Sequence, residues 1–167
     1  MTSGAALALL PFAVAIGIWV AWSDMKFMKI PNKAVIALLL VWLVPGLLTV
    51  PLAGLTLESW LWGWALAAIV LVAGFLASTL RLVGAGDAKF AAAMAPFFVG
   101  ADPRLVFALY AACLIGAVVT HRGAKYIPAL RTRTADWASW TNKDFPMGLA
   151  LSGTLIFHLL LTIKVAI

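Results

Sequence analysis

Six long apolar runs, separated by short polar stretches, constrain the fold of this chain more than any other feature. The runs lie at residues 5–22, 34–50, 60–80, 90–99, 105–120 and 147–163. With 65% apolar residues and a mean hydropathy of +1.07, the chain is too apolar for a soluble domain of 167 residues. A bilayer core about 30 Å thick is crossed by roughly 20 helical residues. The sequence therefore predicts an all-α, polytopic membrane protein of about six transmembrane helices, forming one membrane-embedded domain over residues 1–167.

The connections between the runs contain signals for the ends of the helices. The first run ends at Asp24, Pro31 stops any helix in the following loop, and Asn32 is placed to cap the second helix. The second run closes at Pro51. The fourth run is the shortest. Even if its helix starts at Asp87, it is short for a full crossing, which predicts local thinning of the bilayer or a buried, partly re-entrant position.

The basic residues are distributed unequally between alternate connections. Ten of the twelve lie in the first, third and fifth connections, whereas the opposite side has only Arg104 and Lys164. By the positive-inside rule this count places those three connections in the cytoplasm and both termini outside. Asp24 and Asp87 then share the cytoplasmic face. Because membrane orientation explains the basic excess, no nucleic-acid partner is predicted.

Asp24 and Asp87 are the residues most suited to chemistry. A carboxylate next to an apolar span is costly and usually functional. Two carboxylates at one depth suit an aspartyl protease, because a close pair shares one proton and activates a water between its members. This requires the first and fourth spans to be neighbours. In the alternative interpretation, each carboxylate marks the polar edge of a span, or Asp87 caps its helix.

The residues around Asp87 are also unusual. Gly84 and Gly86 precede it, and they can adopt backbone conformations closed to other residues and let a substrate backbone approach. Lys89 follows it, either to offset the charge of Asp87 or to face lipid headgroups. The only cysteine, Cys113, lies in an apolar run, so the sequence indicates no disulfide and no CxxC metal site.

Two motifs resemble those of the type IV prepilin peptidases, a family of membrane aspartyl proteases. Asp24-Met25-Lys26-Phe27-Met28-Lys29-Ile30-Pro31-Asn32 resembles the first family motif, an Asp followed by a basic stretch and Ile-Pro-Asn. Gly84-Ala85-Gly86-Asp87-Ala88-Lys89 resembles the second, Gly-x-Gly-Asp-x-Lys. Pro146-Met147-Gly148 resembles a Pro-aromatic-Gly segment of the family, with Met147 in place of the aromatic residue.

The resemblance implies a catalytic pair and a substrate. Asp24 and Asp87 would be catalytic, without a metal or other cofactor. The residues expected to bind substrate or shape the site are Gly84, Gly86, Lys89, Pro31 and Asn32. The substrate would be a prepilin, cut in its short basic leader just before the hydrophobic helix. The implied location is the inner (plasma) membrane of a prokaryote, with the lipid bilayer as the other partner and the site facing the cytoplasm.

The resemblance also indicates a subclass. Larger, bifunctional members carry a cytoplasmic domain with paired cysteines and methylate the new N-terminus. This chain has one cysteine and no such segment before its first span, so we expect a peptidase-only member of the tight-adherence (Tad/Flp) type, without methyltransferase activity or zinc. Archaeal preflagellin peptidases share the GxGD motif and remain an alternative assignment.

Two other classes of function compete with a protease. The first is a non-enzymatic assembly or scaffold protein of a pilus or secretion system, which would use the basic loops to dock partners or anionic lipid. The second is a proton-coupled transporter that uses Asp24 and Asp87 as a relay. Such a relay would place carboxylates near the middle of the membrane, whereas these two lie at span ends. His121 and His158 are interpreted as an interface residue and a packing residue.

Overall fold

The computed structural model describes residues 1–164, which form helices and no strand. The helices, in chain order, are α1 (Ser3–Phe27), α2 (Asn32–Val41), α3 (Leu47–Ala53), α4 (Leu57–Thr79), α5 (Ala85–Met94), α6 (Pro103–Ala124), α7 (Pro128–Arg133) and α8 (Met147–Lys164). In this part of the chain, five segments are long and apolar enough to cross a membrane, namely α1, the continuous segment Asn32–Ala53, α4, α6 and α8. The prediction of an all-α polytopic membrane protein is confirmed.

The fourth apolar run forms a shorter and more buried segment than the others. It consists of α5 and a 3₁₀ turn at Ala95–Phe98, and Phe90 and Phe97 within it are fully buried. Its length is about 23 Å, less than a hydrocarbon core of roughly 30 Å. Just beyond it, the carbonyl of Val99 accepts a hydrogen bond of 2.8 Å from the amino group of Met1. The segment therefore reaches from the Asp87 end of the bundle to the end where α1 begins.

Helix α1 continues beyond the point where the sequence predicted its end. It includes Asp24 and stops at Phe27, after which Met28 adopts a left-handed conformation with φ 52° and donates its N–H to the Asp24 carbonyl. The Ser23 hydroxyl donates to the carbonyl of Lys29 at 2.9 Å and stabilises the turn that follows. The predicted end was wrong because a polar side chain does not interrupt backbone hydrogen bonding. Asp24 consequently projects from a rigid helix.

The second run also differs from its predicted boundaries. Pro31 is the N-cap residue and Asn32 is the first residue of α2, with no side-chain cap hydrogen bond, so the predicted role of Asn32 was wrong. The helix does not close at Pro51 but runs to Ala53. Pro45, which has no N–H to donate, is accommodated by a π-helical turn between α2 and α3, and Pro51 lies inside α3. The polar residues and prolines thus predicted both helices to be shorter than they are.

Close packing at small residues holds the centre of the bundle together. In lipid the hydrophobic effect does not drive helices together, so van der Waals contact at small residues contributes more. A Cβ at Gly17 of α1 would lie 3.3 Å from Ser152 Cβ of α8, and a Cβ at Gly74 of α4 would lie 2.9 Å from Ala88 Cβ of α5. Helix α5 contacts α2, α4 and α8, and α1 packs along α8. The sequence analysis required the first and fourth spans to be neighbours. The structure connects them through α2 and α8, each of which contacts both α1 and α5.

The polar stretch between α6 and α8 is folded against the bundle. It contains α7 and a 3₁₀ turn at Ala138–Trp140 that packs against α1. His158, in α8, stacks on Phe98 with ring centroids 4.4 Å apart, consistent with a packing role. The predicted position of the C-terminus lies outside the described residues.

Candidate active site

A cleft of roughly 600 Å³ opens at one end of the bundle, between the end of α1 and the beginnings of α2 and α5. It is lined by all seven residues that the sequence singled out: Asp24, Asp87, Gly84, Gly86, Lys89, Pro31 and Asn32. These residues come from two motifs that are far apart in the chain. The fold therefore brings both motifs to one site, at the end of the bundle opposite Met1.

Asp24 is the more deeply buried carboxylate, with 5% of the residue exposed. Its Oδ2 accepts a hydrogen bond of 2.7 Å from the backbone N–H of Gly148, 124 residues away in the chain. Gly148 lies in the first turn of α8, where the helix dipole favours a negative charge. A Cβ at Gly148 would lie 2.9 Å from Asp24 Cβ and 3.0 Å from its Oδ2. Only glycine therefore fits against this carboxylate without a shift of α1 or α8.

Asp87 is held by its own motif. It lies in the first turn of α5, whose N-cap residue is Gly84, and its carboxylate lies against the Gly84 backbone. A Cβ at Gly84 would lie 2.5 Å from Asp87 Oδ2. Gly84 has an ordinary φ of −65°, and Gly86 is not among the glycines with positive φ, so the expectation of unusual backbone conformations was wrong. At Gly84 the need for glycine comes from the space that the carboxylate occupies.

The two carboxylates influence each other electrostatically. Asp87 lies outside the five helices that are long and apolar enough to cross a membrane. Burial raises its pKa to about 6, and the neighbouring charge of Asp24 contributes to the rise. Within residues 1–164 no hydrogen bond joins the two side chains. The charge of Asp24 therefore acts on Asp87 across the cleft, without a direct hydrogen bond between the two side chains in the described residues.

Lys89 and the first-motif residues form the rim of the cleft. Lys89 is exposed and, in the described part of the chain, makes no ion pair with Asp87. Pro31 and Asn32 begin α2 on the opposite side, and Ile30 lies 3.6 Å from the position of a Cβ on Gly86. The rim thus combines a free ammonium group, an amide and apolar side chains around the two carboxylates.

Sequence reasoning missed two residues that hold this site in place. Gly148 was noted only as part of a motif, although its N–H contacts Asp24 directly. Ser23 was not singled out, although its hydroxyl supports the turn of the first motif. Among the described residues, no group of three or more His, Cys, Asp or Glu side chains is arranged to hold a metal ion. The two carboxylates of the cleft are groups that can exchange protons.

Comparison with known proteins assigns the chain to a family. The sequence model of the type IV leader peptidase family matches residues 11–121, which is 111 of the 167 residues and includes both aspartates. This protein belongs to the type IV leader peptidase family. No curated protein and no solved structure matched the chain. In this leader peptidase family member, Gly148 and the rest of α8 lie beyond the matched region.

Proposed function

We propose that this protein is a membrane aspartic endopeptidase that removes the short basic leader from type IV prepilins of the Flp-like kind. The single observation that carries the proposal is the cleft that contains both carboxylates, in which Asp24 accepts the N–H of Gly148 and the charge of Asp24 acts on Asp87. Membership of the leader peptidase family supports the class of reaction. The resemblance of both aspartate motifs to those of prepilin peptidases supports the substrate.

The surroundings of the two carboxylates favour different roles. Asp87, with a pKa raised to about 6, is the member that carries the shared proton. Burial disfavours an ionised Asp24, and the N–H that it accepts at the beginning of α8 opposes this effect and stabilises the carboxylate. We therefore assign Asp24 as the general base and Asp87 as the general acid of the pair.

The proposed reaction proceeds through one tetrahedral intermediate. Asp24 takes a proton from water while the water oxygen attacks the scissile carbonyl carbon, and Asp87 donates its proton to the carbonyl oxygen. Asp24 then gives its proton to the leaving amine nitrogen, the C–N bond breaks, and Asp87 regains its proton from the hydroxyl group. Both carboxyl groups return to their starting states, so neither an electron acceptor nor a covalent intermediate is required.

We further propose that the cleft faces the cytoplasm of a prokaryotic cell. Ten basic residues lie in the connections on the side of the two aspartates and two on the other side, which supports this orientation. The cleft also contains apolar side chains, among them Phe27 and Ile30, suited to a peptide that continues into a hydrophobic helix. Cysteine-accessibility labelling tests the orientation, because a site reached only from outside the cell would contradict it.

The first experiment is co-expression of the protein with a candidate Flp-like prepilin, followed by the change in prepilin size. We expect Asp24→Asn and Asp87→Asn each to reduce cleavage by roughly a thousandfold or more, because either change removes a proton-transfer group. Both variants should remain in the membrane fraction in normal amounts.

Asp102→Asn is a matched control for these changes. Asp102 is exposed at the opposite end of the bundle, where its Oδ1 caps α6 by accepting the N–H of Arg104 at 2.8 Å. An asparagine can also cap a helix, so cleavage should be unchanged. Wild-type cleavage by either Asp24→Asn or Asp87→Asn would reject the catalytic pair.

A further inference from the structure

The position of Gly148 decides the position of the Asp24 carboxylate. The Gly148 N–H donates to Asp24 Oδ2 at 2.7 Å, and a Cβ at Gly148 would come within 3.2 Å of Asp24 Cγ. Gly148 itself follows the fully buried Pro146. Any movement of the chain just before α8 would therefore move the hydrogen-bond donor of Asp24.

That part of the chain is held by a stack of aromatic rings. The imidazole of His121, at the end of α6, lies parallel to the indole of Trp140, with ring centroids 5.0 Å apart and an interplanar angle of 12°. Phe145, three residues before Gly148, packs edge-on against the same imidazole at 5.7 Å. His121 and Trp140 are 5% and 6% exposed. The imidazole thus connects the chain before Gly148 to α6 and to Trp140.

Trp140 is in turn fixed to its surroundings. Its indole N–H donates to the carbonyl of Thr134 at 2.8 Å, and the 3₁₀ turn that contains it packs against α1. In the same segment, Asp136 forms an ion pair of 3.1 Å with Lys26, two residues after Asp24. The segment therefore contacts α1 beside Asp24. It also continues along the chain to Gly148, whose N–H donates to the Asp24 carboxylate.

The contribution of His121 comes from its flat ring. Within the described residues its buried Nε2 has no hydrogen-bond partner. A buried polar atom without a partner is unfavourable, so hydrogen bonding from this atom does not explain the burial of the side chain. The contacts that remain are the aromatic ones with Trp140 and Phe145. A phenyl ring at position 121 could make both.

We propose that Trp140 and His121 are positioning residues for Asp24: their stacked rings hold the Phe145–Gly148 stretch so that the Gly148 N–H stays on the Asp24 carboxylate. The proposal deepens the proposed function, on which its kinetic consequence rests. Neither residue touches the substrate cleft. Both act through Gly148.

The first test does not depend on catalysis. In the purified full-length protein, the carboxyl group of Asp24 is labelled with a carbodiimide and an amine, and the labelled peptide is quantified by mass spectrometry, with exposed Asp102 as the internal reference. Trp140→Ala and His121→Ala should raise the labelling rate of Asp24 several-fold relative to Asp102. His121→Phe should leave it near the wild-type rate. Equal labelling in Trp140→Ala and wild type would overturn the proposal.

The second test is steady-state cleavage of a prepilin by the same variants. Because misplacement of a catalytic group by about 1 Å costs up to about 100-fold, we expect Trp140→Ala and His121→Ala to lower kcat by about 10- to 100-fold with KM within about twofold. His121→Phe should restore kcat to within about threefold of wild type, since the stack is retained. Equal loss in His121→Phe and His121→Ala would overturn the role of the ring.

Tyr126→Ala provides the control and separates the two proposals. Tyr126 is an aromatic residue in the same polar stretch, but it is 87% exposed, and its substitution should change neither readout. If wild-type protein cleaves no prepilin while the labelling results hold, the proposed function fails and the positioning role stands. If Asp24→Asn abolishes cleavage but Trp140→Ala changes neither labelling nor kcat, the proposed function stands and the positioning role fails.

Discussion

The two carboxylates of the cleft are held in place in opposite ways. Asp24 is buried and receives its hydrogen bond from Gly148, 124 residues away on another helix. Asp87 is only partly buried, and its carboxylate lies against the backbone of Gly84, three residues before it. One position thus depends on how distant helices pack, and the other depends mainly on a local turn.

This difference predicts how tolerant each side of the cleft is to change. The atoms that face Gly148 include Asp24 Cβ, which belongs to the rigid part of the side chain and cannot move without α1. The atom that faces Gly84 is the carboxylate oxygen at the end of the Asp87 side chain, which can rotate away. The Asp24 side should therefore be the more sensitive one.

Among the glycine substitutions, the largest effect is expected for Gly148→Ala. Its Cβ would lie 2.9 Å from Asp24 Cβ, so the carboxylate must shift with its helix. We expect kcat for prepilin cleavage to fall by about 100-fold. Gly153→Ala on the same helix is the matched control, because its Cβ would lie at an ordinary 3.7 Å from Cys113 Sγ. Similar losses in both variants would mean that α8 simply tolerates no larger residue.

The second prediction concerns the stability of the Asp87 side as a function of pH. Its pKa is raised from 3.8 to about 6, so the folded state binds the proton more tightly than the unfolded state. The stabilising contribution of that proton is present below about pH 4 and is lost as the pH rises through about 6. Allowing for partial exposure, the loss is about 1.5 kcal/mol.

Thermal unfolding in detergent measures this contribution. Asp87→Asn cannot lose a proton, so its stability relative to wild type should increase between about pH 4 and pH 8. A difference that stays constant across this range would contradict the raised pKa. It would also remove the distinction between a proton-carrying Asp87 and an ionised Asp24.

A smaller effect is expected for Gly84→Ala. The new Cβ would lie 2.5 Å from Asp87 Oδ2. Rotation of the carboxylate relieves this contact but moves the carboxylate from its position in the cleft. We expect kcat to fall by about tenfold, less than for Gly148→Ala. Kinetic comparison of the two variants tests the contrast directly. A greater loss at Gly84 than at Gly148 would reverse the order of sensitivity argued above.

The smallest effect is expected for Gly86→Ala. A Cβ there would lie 3.6 Å from Ile30 Cβ, an ordinary van der Waals distance, so kcat should stay within about twofold of wild type. KM is measured at the same time. A large increase in KM would show that a substrate backbone approaches Gly86 closely, as the sequence suggested.

The local parts of the fold and site were predictable from sequence. The apolar runs predicted a bundle of membrane helices, and the residues of both motifs do line one cleft. Predictions failed where tertiary context or backbone bonding overrode a local signal. Asp24 lies inside α1, Asn32 does not cap α2, and Pro51 does not end its helix, because the backbone hydrogen bonds continue through these positions or adjust around them.

By itself the sequence determined that the chain is built of membrane helices and which carboxylates are the candidates for the chemistry, because hydropathy and short motifs are local properties. Only the tertiary structure decided that α1 packs along α8 and that the Gly148 N–H meets Asp24. It also decided that the His121 and Trp140 rings stack beside this contact. Such contacts depend on which helices become neighbours and on close packing at glycines, and neither leaves a periodic pattern in the chain.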